Sequence, residues 1–274
     1  MTLRFTILGC GSSGGVPRIG GDWGACDPKN PKNRRRRCSL LVERIGRDGI
    51  TRVLVDTGPD VREQLLEAKV PRVDAVVYTH AHADHLHGID DLRGLAFVER
   101  KRVDVFMDAD TLDRAHEAFG YCFKGAAGYP PILNAALVAA GKTLVIDGPG
   151  GSVTLLPFEQ SHGRITSLGF RIGGLAYSSD LHDLPARSQP FLSGLSVWIV
   201  DALRYKPHSS HFNVDQALEW AERLGVERAI LTNLHQDLDY EVLRRSLPAW
   251  AVPAHDMLVV ELPAETMAEP MKVP

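Results

Sequence analysis

Thr79-His80-Ala81-His82-Ala83-Asp84-His85, directly behind the apolar run Val73 to Tyr78, packs three imidazoles and one carboxylate into six consecutive positions, 80 to 85. The run before it reads as a buried β-strand. In an extended stretch residues two apart point the same way, so His80 and His82 can grip one ion, while Asp84 and His85, in the turn beyond, aim elsewhere. Two metal ions are therefore expected. A polar loop ahead of a helix is the plainer alternative, but a solvated loop has no reason to concentrate three imidazoles.

Outward from this stretch, apolar runs bounded by Gly, Pro or polar residues recur along the chain. Strands are expected at Arg4–Leu8, Ser39–Arg44, Arg52–Asp56, Ala75–Thr79, Val103–Met107, Thr143–Asp147, Val153–Phe158, Ser167–Ile172, Leu175–Ser178, Val197–Asp201, Arg228–Leu231 and Leu258–Glu261. Helical spacing marks Asp60–Ala68, opened by Pro59, and Asp113–Phe119, Val214–Leu224 and Tyr240–Ser246. Strands outnumber helices in both halves, and helices recur between them. The expected fold is an α/β (α+β) arrangement of two mixed β-sheets stacked face to face with helices outside, as one domain over residues 1–274.

Composition narrows the function classes. A hydrophobic content of 44% is ample for a core, and a net charge of −3 argues against a surface built throughout for nucleic acid, so no stable nucleic-acid partner is expected. The sequence shows no secretory leader and no bilayer-spanning run, so a cytoplasmic protein without membrane contact is expected. Cys10, Cys26, Cys38 and Cys122 lie far apart without C-x-x-C spacing, which points to reduced thiols.

Further ligands should come from loops at the ends of other strands. His162 follows the strand beginning at Val153, Asp180 ends Tyr177-Ser178-Ser179-Asp180, and His235 follows Ala229-Ile230-Leu231-Thr232. A carboxylate such as Asp180 has two oxygens, as needed to bridge ions roughly 3.5–4 Å apart.

The order H-x-H-x-D-H, then His, Asp and His at successive strand ends, resembles the metallo-β-lactamase superfamily of hydrolases over nearly the whole chain. More narrowly, Leu8-Gly9-Cys10-Gly11-Ser12-Ser13-Gly14-Gly15-Val16-Pro17, the Arg34–Arg37 run before Cys38-Ser39, and Asp237-Leu238-Asp239-Tyr240 resemble the PhnP-like phosphodiesterases, which open phosphoribosyl cyclic phosphates. The tRNA 3′-processing nucleases (tRNase Z) are cousins. The resemblance implies a four-layer αββα sandwich, with His80, His82 and His162 on one ion, Asp84, His85 and His235 on the other, and Asp180 bridging. Two departures stand out. Of three cysteines and a histidine that hold an extra structural zinc in such enzymes only Cys26 remains, with Gly21, Trp23 and Gln236 at the other places, so that zinc is not expected. An unbroken alignment also puts Asn233 where the last ligand should fall. His235 is the preferred ligand, because imidazole binds transition metals better than a neutral amide.

A nitrogen and oxygen ligand set suits two divalent transition ions, Mn2+ or Zn2+ first and iron next. Two cations sharing a bridging hydroxide would lower its pKa, aim it at phosphorus and offset charge on the phosphoryl oxygens. In Pro207-His208-Ser209-Ser210-His211-Phe212-Asn213, His211 matches the place of the family's general acid, and His208 either contacts phosphate or exchanges roles with it. His211, Asp84 and His208 are thus the candidate catalytic residues. The expected enzyme is a dinuclear phosphodiesterase acting on a small cyclic or nucleotide-like phosphodiester, with family likeness implying a homodimer. The alternatives are a tRNase Z-like endoribonuclease, a carbonyl hydrolase such as a lactonase, and a metal-free binding protein on the same fold.

Asp56 either orients a ligand imidazole or caps the helix after Pro59. Arg34 to Arg37 form a phosphate clamp or, more simply, a solvated face. Gly9–Gly15 reads as a tight turn beside the metals rather than a phosphate cradle, and Asp90 and Asp91 as helix surface. His87, His116, His182 and His255 are read as surface or supporting residues, and the loop Phe119–Pro131 as one that shapes substrate choice.

Overall fold

Most strands are apolar on both faces, so each has to be covered twice. The computed structural model describes residues 1–125 and 128–264. Residues 126–127 of the expected specificity loop and the last ten of the expected domain, 265–274, lie outside the described residues. The first part of the chain forms β1 (Thr2–Gly9), β2 (Ser39–Ile45), β3 (Ile50–Val55), α1 (Val61–Glu67), β4 (Ala75–Val77), α2 (Ala83–Leu86), α3 (Leu92–Glu99), β5 (Val103–Met107), α4 (Ala109–Lys124) and β6 (Leu133–Leu137). There follow β7 (Leu144–Ile146), β8 (Val153–His162), β9 (Ile165–Ile172), β10 (Leu175–Ser178), β11 (Val197–Asp201), α5 (Val214–Arg223), β12 (Arg228–Thr232), α6 (Tyr240–Ser246), β13 (Ala251–Pro253) and β14 (Leu258–Pro263).

Two seven-stranded sheets result, ordered β14-β1-β2-β3-β4-β5-β6 and β13-β12-β11-β10-β9-β8-β7. Each is antiparallel on one side and parallel on the other: β1, β2 and β3 run antiparallel before β3, β4, β5 and β6 run parallel. In the second sheet β7 to β10 are antiparallel neighbours, and β10 to β13 parallel ones.

Side-chain alternation sorts each strand between two cores. Phe5, Ile7, Leu40, Val42, Val53, Val55 and Val77 meet Leu155, Phe170, Tyr177, Ile199 and Ile230 between the sheets. Their neighbours in sequence face outward. Leu8, Leu41, Leu54, Val76 and Val105 pack under Val61 of α1, Ala96 of α3 and Ala115 of α4. Trp198, Val200, Ala229 and Leu231 pack under Ala217 and Ala221 of α5 and Leu243 of α6. The four layers follow from this period-two sorting, and the expected αββα sandwich is the observed one.

The boundaries move in instructive ways. The twelve expected strands are present, joined by β6 and β13. Helix α4 begins at Ala109, ahead of the expected Asp113, because Asp108 caps it by accepting from the Thr111 amide at 2.8 Å. Asp90 and Asp91 lie in a 3-10 turn, Ile89–Asp91, that leads into α3. No described helix is long and apolar enough to cross a membrane.

The arginine run corrects its reading. Arg35 is only 2% exposed. Its guanidinium donates to the carbonyls of His235 and Leu238 at 3.1 and 2.6 Å and to Asn33 Oδ1 at 3.3 Å. Arg36 pairs with Asp256 and Glu67, and Arg37 with Asp60. These three are therefore neither a solvated face nor a free phosphate clamp; only Arg34 is exposed. The run fastens the loop after β12 to the N-terminal sheet. Gly9 makes the approach possible, since a Cβ there would lie 2.1 Å from the Arg37 carbonyl oxygen.

Arg35→Ala is expected to lower unfolding free energy by about 2–4 kcal/mol, because hydrogen bonds from a charged donor contribute about 1.5–3 kcal/mol each when buried. Urea denaturation followed by circular dichroism measures this. An unchanged midpoint would mean that the 235–238 loop does not depend on Arg35.

Candidate metal centre

The parallel strands β4, β10, β11 and β12 end at one edge of the sandwich, and the segments that follow them meet there. After β4 the chain passes through Tyr78 and Thr79 into His80. Asp56, just past β3, is fully buried and held at φ 63. Its carboxylate accepts from the Thr79 amide and hydroxyl, both at 2.8 Å, and from His85 Nδ1 at 2.7 Å. Asp56 thus orients a candidate ligand imidazole and does not cap α1, whose N-cap is Asp60. The adjoining Thr57-Gly58 turn packs on the same loop: Thr57 N donates to the His85 carbonyl at 2.8 Å, and a Cβ on Gly58 would fall 2.1 Å from Asp84 O.

These bonds determine which ring nitrogens are bare. His85 Nδ1–H is used on Asp56, which leaves Nε2 as the nitrogen available to a metal, and that buried atom has no hydrogen-bond partner. Since the Thr79 hydroxyl donates to Asp56, its oxygen accepts from His80 Nδ1 at 3.0 Å, and His80 Nε2 is bare as well. His162, at the end of β8, donates Nδ1–H to the Ser210 carbonyl at 2.7 Å, so its Nε2 is the third bare nitrogen. Tautomers fixed in this way are those of metal-binding imidazoles.

The bare nitrogens converge. His82 Nδ1 lies 3.0 Å from His80 Nε2 and 3.2 Å from His162 Nε2. Asp180, past the end of β10, brings Oδ2 to 3.5 Å from His162 Nε2 and 3.8 Å from His80 Nε2. A tetrahedral ion with bonds of about 2.0–2.1 Å needs ligand atoms about 3.3–3.4 Å apart. The four donors fit it. The other Asp180 oxygen, Oδ1, is 3.1 Å from His85 Nε2, which is also 3.4 Å from Asp84 Oδ2. A second position therefore adjoins the first across one carboxylate, with Asp84 and His85 on its far side.

His235 does not reach this group. Its Nε2 contacts the Arg18 guanidinium and its Nδ1 lies 3.1 Å from Asp237 Oδ2. Asn233 turns towards the group instead: at φ 60 its amide nitrogen reaches the Ser179 carbonyl at 3.0 Å and Asp180 Oδ1 at 3.3 Å. The reason is local. Asn tolerates the left-handed conformation at this strand end, and the His235 amide is drawn to the Leu203 carbonyl at 2.9 Å, so the loop leaves the site two residues earlier than expected.

His211 sits beside the donors, its ring centroid 4.7 Å from that of His162. Its Nδ1 donates to Asp201 Oδ2 at 2.7 Å. Asp201 is a residue of this cluster that sequence reading passed over, although it ends β11 as Asp180 follows β10. His208 stands one ring away, at 5.1 Å between centroids, and its Nδ1 accepts from the Ser210 amide at 3.3 Å. Of the supporting histidines, His182 accepts from the Gly163 amide beside His162 at 3.1 Å. A cavity of about 870 Å3 borders the cluster at His80 and His82 and runs past His87 to Asp110, Arg114 and Glu117 on α4.

Electrostatics divide the imidazoles: burial works against a proton on His85, but the carboxylates of Asp180, Asp84 and Asp56 outweigh it and raise its pKa well above the usual value. Burial holds the His80 imidazole well below its usual pKa and lowers that of His162, so both remain neutral and able to bind metal. Burial alone would raise the Asp180 carboxyl, but His85, with His80 and His211, outweighs it and holds the group well below the carboxylate range. Burial likewise works against a proton on His211, yet the Asp201 carboxylate, helped by Asp180 and Asp84, raises that imidazole to about 9. At neutral pH His211 carries the proton.

His82→Ala is expected to abolish zinc retention, whereas His235→Ala should leave the bound-metal count unchanged. Elemental analysis after desalting decides between them, and loss of metal in the His235 variant would return that residue to the site.

Comparison with known proteins agrees with this geometry. A family model described as the beta-lactamase superfamily domain matches residues 51–233. The crystal structure of a new diphosphatase from the PhnP family is 35% identical, with a TM-score of 0.86 over 96% of this chain and 98% of that one. An octanoyltransferase of Porphyromonas gingivalis is 32% identical over 88% of this chain and 48% of its own length. A ribonuclease Z of Bradyrhizobium diazoefficiens is 32% identical over 51% of this chain and 45% of its own. The chain spans about half the length of these two curated relatives. With its two seven-stranded sheets and its strand-end cluster of imidazoles and carboxylates, the chain belongs to the β-lactamase superfamily, in its PhnP family.

Proposed function

We propose that this hydrolase cleaves a small cyclic or nucleotide-like phosphodiester, using two divalent ions of the Mn2+ or Zn2+ class. His80, His82, His162 and Asp180 would hold one ion, and Asp84 and His85 with the second Asp180 oxygen the other. Bound there, the ions would supply Lewis acidity towards the phosphoryl oxygens and acidify a water. The remaining work falls to the chain.

The observation that carries the reading is the placement of His211. Phosphodiester cleavage expels an alkoxide, which needs a proton as the bond breaks. His211 is protonated at neutral pH and is held by Asp201 with its remaining N–H free to donate beside the ligand cluster. Asp201 fixes the tautomer and sustains the charge. His208, at the same rim, is suited to contact a phosphoryl oxygen. The sequence has no long basic Gly/Pro-rich insertion of the kind that holds folded RNA, which favours a small substrate. A phosphoanhydride is the second reading, favoured by the diphosphatase among the similar structures. Both involve attack of water at phosphorus. Turnover of ribose cyclic phosphates, dinucleoside diphosphates and precursor tRNA, compared under the same metal loading, distinguishes them, and activity on the tRNA alone would overturn the small-substrate proposal.

His211→Ala is expected to slow cleavage of an alkyl diester by about 10²–10⁴-fold, the usual worth of general acid catalysis, and that of bis(p-nitrophenyl) phosphate far less, because nitrophenolate leaves without a proton. Equal losses on the two substrates would remove His211 as the acid. The acid form of His211 is lost as pH rises through about 9. Asp201→Asn removes the strongest charge raising that value, so the alkaline limb of kcat/KM should move to lower pH by about one unit or more. An unmoved limb would show that Asp201 does not act through His211.

A further inference from the structure

The turn that follows Val16-Pro17 is fastened without a metal. Gln236, at one of the places where the resemblance to PhnP-like enzymes puts a structural-zinc ligand, donates its amide to Asp22 Oδ2 at 2.7 Å, and its carbonyl accepts from the Ala25 amide at 3.0 Å. Gly24 lets the two segments meet, since a Cβ there would lie 2.7 Å from the Gln236 carbonyl oxygen. Within the turn the Arg18 amide donates to the Asp22 carbonyl at 2.9 Å, and the Gly21 amide to the Arg18 carbonyl at 3.0 Å. The backbone of Arg18 is thereby fixed.

Its exposed side chain is held as well. It lies across Gly14, where a Cβ would be 3.1 Å from Arg18 Nε, and Nη2 donates to His235 Nε2. His235 is set to accept, because its Nδ1 faces Asp237 Oδ2 at 3.1 Å and carries the ring proton. A guanidinium has five N–H groups in a planar fork. One goes to His235, and among the described residues Arg18 makes no ion pair with a carboxylate.

The place adjoins the ligand cluster. His235 lies two residues beyond Asn233, whose amide is 3.3 Å from Asp180 Oδ1 and 3.2 Å from His211 Nδ1, and two residues span at most about 7 Å. A second guanidinium stands here too. Arg204 follows the Leu203 carbonyl that accepts from the His235 amide, and it donates to the carbonyls of Lys206 and Pro207 at 3.2 and 2.9 Å. Burial, with Arg18 and Arg204 acting against Asp237, lowers the His235 imidazole, so the charge of both guanidinium groups reaches this point. By contrast, the cavity bordering His80 and His82 carries Asp110, Asp113 and Glu117, and its Arg114 is paired with Glu117 at 3.0 Å. An anionic substituent is repelled there and attracted beside His235.

We propose that Arg18, set by His235 and assisted by the charge of Arg204, binds a second, non-scissile phosphate of the substrate. Arg18 is then the specificity-determining residue and His235 its positioning residue. Two guanidinium groups match a phosphate dianion better than a single carboxylate charge. The proposal rests on the phosphodiesterase reading above and adds a terminal phosphate monoester to the substrate.

The test compares manganese-loaded enzyme on adenosine 2′,3′-cyclic phosphate with and without a 5′-phosphate. kcat/KM should be at least about 10-fold higher for the phosphorylated form, the scale of one hydrogen bond between charged groups. In Arg18→Ala this ratio should fall to near one, through KM for the phosphorylated form rather than kcat, and in Arg18→Glu it should fall below one. His235→Ala should lower the ratio part-way, whereas His235→Gln, whose amide oxygen can accept from Arg18, should restore it. A parent that cleaves both forms equally well, or a ratio that the Arg18 variants leave in place, would overturn the proposal with the phosphodiesterase reading intact. Cleavage of neither form would overturn both.

Discussion

The arrangement depends on the burial of one anion. Asp180 is 3% exposed at the junction of the two sheets, where an uncompensated carboxylate would be costly. Its oxygens face His80, His85, His162, His211 and Asn233. Two of these residues follow β4 in the first sheet, and the other three come from the second. The apolar core between the sheets brings the strand ends to one edge, and Asp180 makes that edge a place where positive charge must gather. A metal ion would meet the requirement, with the neutral imidazoles of His80 and His162 among its ligands.

The same carboxylate–imidazole contact is used twice, and in both places nearby carboxylates raise the imidazole pKa. Asp56 and Asp201 each lie 2.7 Å from a histidine Nδ1. Behind His85, Asp56 fixes the tautomer whose bare Nε2 faces Asp84 and Asp180, which is a ligand's position. Behind His211, Asp201 sustains a proton, which in the proposed reaction Nε2 would deliver. What differs is the direction in which the free nitrogen points. The loop from Asn233 to Leu238, tied down by Arg35, then decides that an amide rather than an imidazole reaches Asp180.

The sandwich and the first ligand group were legible because each residue carries its signal locally. His80 and His82 are separated by the strand period, and His162 and Asp180 follow apolar runs that could be read directly. Strand β6 was missed because Leu133-Asn134-Ala135-Ala136-Leu137 has no β-branched residue, and its exposed end lacks an apolar stripe. Helix α3 was missed because Gly94 and the 3-10 turn before it break the spacing. Asp201 looked like any strand-end residue until the fold set His211 beside it. The choice between Asn233 and His235 depends on a single left-handed residue and on a hydrogen bond to Leu203, neither of which has a local sequence signal.

The most direct test of the metal centre is X-ray absorption spectroscopy on the zinc-reconstituted protein. The predicted spectrum has a nitrogen and oxygen shell with bonds of about 2.0–2.1 Å and the multiple-scattering features of several imidazoles. A sulfur shell near about 2.3 Å, which would place the zinc on a cysteine, or a shell of oxygen alone, would contradict it.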